Sequence, residues 1–280
     1  MKQRNLIVSL AAALALAACA TVPPQSQQLA ANFKAMQPTS GLAKEMTMEE
    51  AERIRDGLVA ELAASHGKVV GYKAGLTNPA VQKRFGTTSP VRGVLLEKML
   101  LEDGAEVPAK FGAIPFFEAD IVVVVKDEGI NQAKTPAEVM KHVASVRPFI
   151  ELPDLVTAKE QPLTGAIITS FNVGARLGVL GKPIAATPEL ADALGKMTVV
   201  MRDQDGKELG KAPGAAILGH PLNAVVWLAQ DVAKSGGRLR AGDILSLGSF
   251  TAPNFTKPGT RVTVTYEGLP GNPTVSARFK

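Results

Sequence analysis

The stretch from Phe116 to Val125, Phe-Phe-Glu-Ala-Asp-Ile-Val-Val-Val-Val, constrains this chain more than any other. Its β-branched run, Ile121 to Val125, would crowd a helix and packs well on a pleat, so it predicts a buried strand. Two acids open that strand. Residues i and i+2 of a strand share a face, which sets Glu118 and Asp120 side by side. A third acid, Glu151, stands in a similarly apolar setting, Val146 to Leu152. Burying an isolated carboxylate costs several kcal/mol, so acids at the edge of a buried strand need partners. Two like charges this close repel unless a proton or a cation lies between them. An oxygen-only set of this kind suits Mg²⁺ or Mn²⁺. The plainer alternative is that Glu118 marks a strand end and Glu151 makes a salt bridge.

The first residues read as a targeting signal. Lys2 and Arg4 precede the apolar run Leu6 to Ala18, which is too short for a stable membrane span. The run closes on Leu16-Ala17-Ala18-Cys19, which has the form of a bacterial lipobox, and Cys19 is the only cysteine of the 280 residues. Residues 1–18 are therefore expected to be a lipoprotein signal peptide, with Cys19 lipidated and no cysteine left for a disulfide. From Cys19 to Lys44 the chain is rich in Gln, Pro, Ser and Ala, which predicts a flexible tether. Residues 45–280 form the expected catalytic domain, roughly 235 residues and enough for one sizeable core. Such a protein would sit in the cell envelope on the periplasmic side, at the outer membrane of a Gram-negative cell. The formal net charge is +5, and losing Lys2 and Arg4 with the signal lowers it by two. The remaining charges are mixed, with no basic cluster interleaved with aromatics, which argues against a nucleic-acid partner.

Along the domain, Thr47-Met48-Glu49-Glu50 predicts a capping box that opens a helix ending near Gly67. Thr135-Pro136-Ala137-Glu138 predicts a second, with a helix running to about Ala144. A helix begins at Thr187-Pro188-Glu189, and another spans Pro221 to Lys234 with Gly236-Gly237 as its stop. Asp205-Gly206 is a hairpin signal between Met197–Arg202 and Lys207–Gly210. Strands are expected at Val69–Ala74, Gly93–Leu96, Met99–Leu101, Ile244–Ser249, Thr260–Tyr266 and Thr274–Phe279. Pro148 to Leu152 reads as extended. Strands dominate without regular βαβ alternation, so the class is α+β. His66, His142 and His220 are too scattered for a zinc site, and without a G-x-S-x-G elbow Ser246 and Ser249 read as ordinary strand or loop residues.

Three segments together resemble the 2-keto-4-pentenoate hydratase branch of the fumarylacetoacetate hydrolase superfamily. They are Gly71-Tyr72-Lys73-Ala74-Gly75-Leu76-Thr77, Glu118-Ala119-Asp120, and the run from Gly219 to Ala229, Gly-His-Pro-Leu-Asn-Ala-Val-Val-Trp-Leu-Ala. Their order and spacing agree with the family from about Ala51 onward, as does Lys257-Pro258-Gly259. The resemblance implies a mixed β-roll core with flanking helices, a divalent metal and homo-oligomers. It maps the metal ligands onto Glu118, Asp120 and Glu151, with Asp at a position where the family carries Glu. It maps the active-site lysine onto Lys73, and substrate contacts onto Leu76, Asn172 and Thr251. The implied activity is that of a metal-dependent hydratase acting on a short 2-oxo or 2-hydroxydienoic acid.

One stretch departs from the family pattern. Where related hydratases carry an Asp-Asn-Ala-Ser-Ser-like segment, this chain has Phe171-Asn172-Val173-Gly174-Ala175. The lost acid and hydroxyls imply a changed substrate or impaired turnover. Three alternatives therefore stand beside the hydratase: a 2-oxo acid decarboxylase, a C–C hydrolase of the same superfamily, and a non-catalytic envelope lipoprotein that binds a metal or small acid.

Overall fold

The computed structural model describes residues 22–280. The expected signal peptide, 1–18, and the expected lipidation site, Cys19, lie outside the described residues. In chain order the strands are β1 (Val69–Gly75), β2 (Val91–Leu96), β3 (Leu100–Glu102), β4 (Ala105–Val107), β5 (Phe116–Val125), β6 (Val143–Leu152), β7 (Leu177–Leu180), β8 (Ile184–Ala185), β9 (Thr198–Asp203), β10 (Glu208–Pro213), β11 (Ile244–Ser246), β12 (Asn254–Phe255), β13 (Arg261–Glu267) and β14 (Thr274–Phe279). The α-helices are α1 (Pro24–Ala35), α2 (Met48–His66), α3 (Pro79–Arg84), α4 (Pro136–Lys141), α5 (Gly165–Ser170), α6 (Pro188–Lys196) and α7 (Leu222–Lys234).

The α+β class holds. Strands β2-β1-β11-β5-β6-β7-β3 form the main path of a nine-stranded mixed sheet, with β12 added to β5 and β8 to β6. A second, five-stranded sheet runs β10-β9-β13-β14-β4. One face of β5, Phe117, Ala119, Ile121, Val123 and Val125, enters the main core with Val199 and Met201 of β9, Val262, Val264 and Tyr266 of β13, and the apolar side of α7. The alternation that buries those residues turns Glu118 and Asp120 to the opposite face. A second core lies under α1, α2, β2 and α5, and includes Leu29, Phe33, Leu58, Leu62, Leu96 and Ile168.

Local chemistry explains most boundaries. The Thr47–Glu50 capping box is complete: Thr47 Oγ1 accepts the Glu50 N–H at 3.2 Å, and Glu50 Oε2 accepts the Thr47 N–H at 2.9 Å. At α4 only half of the expected box forms. Thr135 Oγ1 accepts the Glu138 N–H at 3.3 Å, but Glu138 Oε2 turns to the Lys134 N–H. That helix stops at Lys141, three residues early, because pairing with β5 draws Val143 into β6. The hairpin at Asp205-Gly206 forms as expected, with Gly206 at φ +79°.

The expected tether from Cys19 to Lys44 needs a correction. Residues Pro24–Ala35 form a helix, not a flexible linker. Leu29, Ala30 and Phe33 recur at helical spacing and are buried, and Ser26 Oγ donates to the Ile54 carbonyl at 2.7 Å. The Gln-rich composition concealed this apolar face. Among the described residues, no helix is long and apolar enough to cross a membrane.

Candidate active site

The register of β5 against β6 assembles the acids. Glu118 faces Glu151 directly across the antiparallel ladder, and Asp120 faces Phe149. Glu118, Asp120, Phe149 and Glu151 thus share one face of the sheet. On the other side of β5, β11 carries Ser246, and Ser246 lies in register with Lys73 of β1. Four strands therefore bring Lys73 to the three carboxylates. Its ammonium bonds to Glu151 Oε1 and donates to the Val173 carbonyl at 2.8 Å. Lys73, Asp120 and Glu151 are all buried, while Glu118 stays partly exposed at the mouth of the site.

Two serines complete the cluster. Ser246 Oγ donates to Asp120 Oδ2, and Asp120 Oδ1 accepts the Gly248 N–H at 3.0 Å. Ser249 Oγ donates to Glu118 Oε2 at 2.7 Å. From the sequence both serines read as ordinary residues. They lie 126 and 131 residues from their partners, and no local periodicity reports a contact at such a separation. Their one shared signal is that they flank Leu247-Gly248, where the short strand β11 ends.

A left-handed turn roofs the lysine. Asn172, Val173 and Gly174 all have positive φ, at 60°, 54° and 67°. For a β-branched residue such as Val173 this conformation is a true outlier, and the surrounding packing must hold it. Asn172 supplies much of that hold: its side chain accepts the Val94 N–H at 2.7 Å and donates to the Val94 carbonyl at 2.9 Å. Gly93, beside it, has no room for a side chain. A Cβ there would lie 2.7 Å from the Lys73 side chain and 2.8 Å from the Asn172 carbonyl oxygen.

The expected substrate contacts are placed less simply than the acids. Asn172 reaches the site through its turn, yet its amide is occupied by Val94. Thr251 Oγ1 accepts the Ala119 N–H at 3.1 Å and so ties the chain after Ser249 to the edge of β5. Leu76, at φ 55°, follows the last residue of β1, with its side chain against the second core and its carbonyl accepting from Gln82 Nε2. Phe171 is buried in that same second core. At this position the chain therefore has a core packing side chain.

Electrostatics set what this arrangement can do. Burial pushes both Glu118 and Asp120 up to about 7, against the hydrogen bonds from Ser249 and Ser246 that favour their charged forms. Burial lowers Lys73 to about 8, although Glu118 and Asp120 pull it upward. Once ionised, three carboxylates facing one ammonium leave two negative charges uncompensated. A hard divalent cation matches both that charge and the oxygen-only donors, and on this ground the residues fit such an ion. In the arrangement described, however, the acids are engaged by Lys73, serines and backbone amides. Among the described residues, no group of three Asp, Glu, His or Cys stands ready-made as a ligand set.

Comparison with known proteins places the chain. No protein-family model matches it. It is 34% identical over 183 residues to a 2-keto-4-pentenoate hydratase of Burkholderia vietnamiensis, covering 65% of this chain and 68% of the relative. It is 30% identical over 237 residues to a 4-oxalocrotonate decarboxylase of Pseudomonas putida, covering 84% and 86%. Among solved structures it is similar to the 4-oxalocrotonate decarboxylase of Pseudomonas putida G7 complexed with magnesium and adipate, with a TM-score of 0.81 and 26% identity over 91% of this chain and 96% of that one. With the β-roll architecture and the buried acid cluster already in place, these likenesses establish that the chain belongs to the 2-keto-4-pentenoate hydratase branch of the fumarylacetoacetate hydrolase superfamily.

Proposed function

We propose that this chain is a metal-dependent hydro-lyase. It adds water across the conjugated double bond of a short 2-hydroxydienoic acid, of the 2-hydroxypenta-2,4-dienoate type, and yields a 4-hydroxy-2-oxo acid. The observation that carries this reading is the buried convergence of Glu118, Asp120, Glu151 and Lys73 on one sheet face, in a chain whose relatives include hydratases.

Glu118, Asp120 and Glu151 would hold a Mg²⁺ or Mn²⁺ ion, Glu151 giving up Lys73 for it while Glu118 and Asp120 keep their serine and backbone donors. Such an ion, when bound, supplies a Lewis acid that favours the enolate form of a 2-oxo acid. The rest falls to the chain itself. Lys73, released from Glu151, pairs with the substrate carboxylate or moves a proton, and its value of about 8 keeps both states within reach near neutral pH. The Val173 carbonyl fixes where the ammonium sits. Ser249 steadies Glu118 at the mouth, where water and substrate arrive. The one-methylene-shorter side chain of Asp120 stays tied to Ser246 and Gly248, so this position is a charge held close to its strand.

The test is direct. Metal-free protein that retains α1 is titrated with Mg²⁺ and Mn²⁺ while the ultraviolet absorbance of 2-hydroxypenta-2,4-dienoate is followed. Metal-dependent decay is expected. In Glu118→Ala, ion binding and decay are both lost while the circular dichroism spectrum is unchanged. Metal-dependent turnover that survives in Glu118→Ala would sink the assignment. Decarboxylation of a related 2-oxo acid is the second reading, favoured by the likeness to 4-oxalocrotonate decarboxylases over most of the chain. It needs the same enolate and differs in what leaves, so release of CO₂ in place of incorporated water separates the two.

We further propose that residues 1–18 are a signal peptide, that Cys19 carries lipid, and that the domain works as a homo-oligomer on the periplasmic side of the envelope. Support for the anchor comes from Leu16-Ala17-Ala18-Cys19, and for the oligomer from the family resemblance. Metabolic labelling with a fatty acid should mark the wild-type chain and fail with Cys19→Ala. Equal labelling of both would remove the anchor.

A further inference from the structure

Tyr266 belongs to β13 in the five-stranded sheet, yet its hydroxyl reaches the nine-stranded one. It accepts the Phe149 N–H at 3.0 Å and donates to the Asp120 carbonyl, with the Phe149 carbonyl also 3.0 Å away. Asp120 and Phe149 face each other across the β5–β6 ladder. A single phenol is thus seated between the two strands that carry all three acids. Tyr266 is fully buried, and its ring arrives through the main core, from the side opposite the carboxylates.

A hydroxyl held between an N–H and a C=O of facing residues sets how far apart two strands stand at that point. Glu118 and Glu151 form the next pair on the same face, two residues along each strand. A change in strand spacing under Asp120 therefore reaches the distance between those two side chains. Phenylalanine would keep the ring in its packing and remove only the bridge, so the hydrogen bonds can be separated from the core.

Resting on the reading that these acids hold a divalent metal, we propose that Tyr266 is a positioning residue for that site: by spacing β5 from β6 it sets the separation of Glu118, Asp120 and Glu151, and with it their affinity for the ion. Groups that orient metal ligands from behind commonly carry tenfold to hundredfold in affinity. Val264, two residues away and buried in the same core, touches neither acid strand by a hydrogen bond and is the matched control.

Mn²⁺ binding is measured by electron paramagnetic resonance on the wild-type chain, Tyr266→Phe and Val264→Ala, each well below its melting temperature. Tyr266→Phe should bind about tenfold more weakly, while Val264→Ala melts lower but binds as the wild type does. Equal affinity in Tyr266→Phe, or an equal loss in Val264→Ala, overturns the role of Tyr266 and leaves the metal reading intact. A wild-type chain that binds no ion overturns the metal reading itself. A second measurement needs no variant. Coupling is reciprocal, so saturating Mg²⁺ should slow hydrogen exchange of the Phe149 amide in the wild-type chain, and unchanged exchange there also overturns the proposal.

Discussion

Glu118 and Asp120 keep their protons to about pH 7 because burial disfavours their charged forms. Their ordinary values are 4.5 and 3.8. Between those values and about 7 the folded chain holds protons that the unfolded chain has released, so stability falls as pH rises through that window. Lys73 acts in the reverse sense. Lowered from 10.5 to about 8, it lets stability recover only above pH 8. In chelator-treated protein the urea midpoint should therefore drop between pH 5 and pH 7.5, and Glu118→Gln should flatten the drop. A fall of the same size in that variant would show that Glu118 is not the group responsible. Ser246→Ala removes a donor that favours the charged form of Asp120. It should move the pH at which Mn²⁺ binding is half-maximal upward, and an unmoved curve would mean that Asp120 takes no part. The acids themselves were legible in the sequence, since two carboxylates at alternate positions beside a β-branched run must share one face of a strand and need a partner there. The serines were not, because a hydroxyl acquires its role only from the strand that lands beside it.

At the scale of elements, the left-handed turn at Asn172–Gly174 is where local preference and tertiary demand conflict. A left-handed residue other than Gly costs roughly 1–2 kcal/mol, and Val173 accepts that cost with its carbonyl on Lys73. Asn172→Ala strips the Val94 N–H and carbonyl of their partners inside the protein. It should lower stability by about 2–4 kcal/mol in urea unfolding, with activity falling further because Lys73 loses its seat. A loss near zero would show that the turn holds without its side-chain clamp. Strand β6 was legible in the sequence only over its second half, Pro148 to Leu152. Pro148 cannot donate to a ladder and ordinarily argues against an inner strand, yet it sits opposite Ile121 with its carbonyl accepting the Gly181 N–H. The helix read to Ala144 yields to β6 for the same reason: pairing with β5 outweighs a weak helical continuation. In contrast, β14 and the capping box of α2 match their sequence signals, because alternation and end-capping are local physics.

Across the whole molecule, α1 ties the start of the described chain to the back of the site. Phe33 is buried against α2, and the Arg176 guanidinium stacks 4.1 Å above its ring. Arg176 also donates to the Phe33 carbonyl at 3.0 Å and to Asp154 at 3.1 Å, three residues beyond Glu151. A chain beginning at Gln37 loses this cover. Exposing Phe33's partners should cost about 3–5 kcal/mol, or roughly 10 °C in melting temperature against a chain beginning at Val22. Equal melting of the two would mark α1 as a passenger. What the sequence determined by itself was the set of local choices: a buried β-branched strand with acids at its head, capped helices, the hairpin at Asp205-Gly206, and a family pattern distinctive enough to name the chemistry. Only the tertiary structure decided which groups meet. The β5–β6 register that opposes Glu118 to Glu151, the serines that hold two of the acids, the Val173 carbonyl on Lys73, the Tyr266 hydroxyl between strands and the docking of α1 all join residues far apart in the chain. Spacing along a chain reports only the neighbours that one helix or one strand can supply. Contacts across the chain arise where several elements must fill one core together, and the energy that selects them belongs to the packed whole.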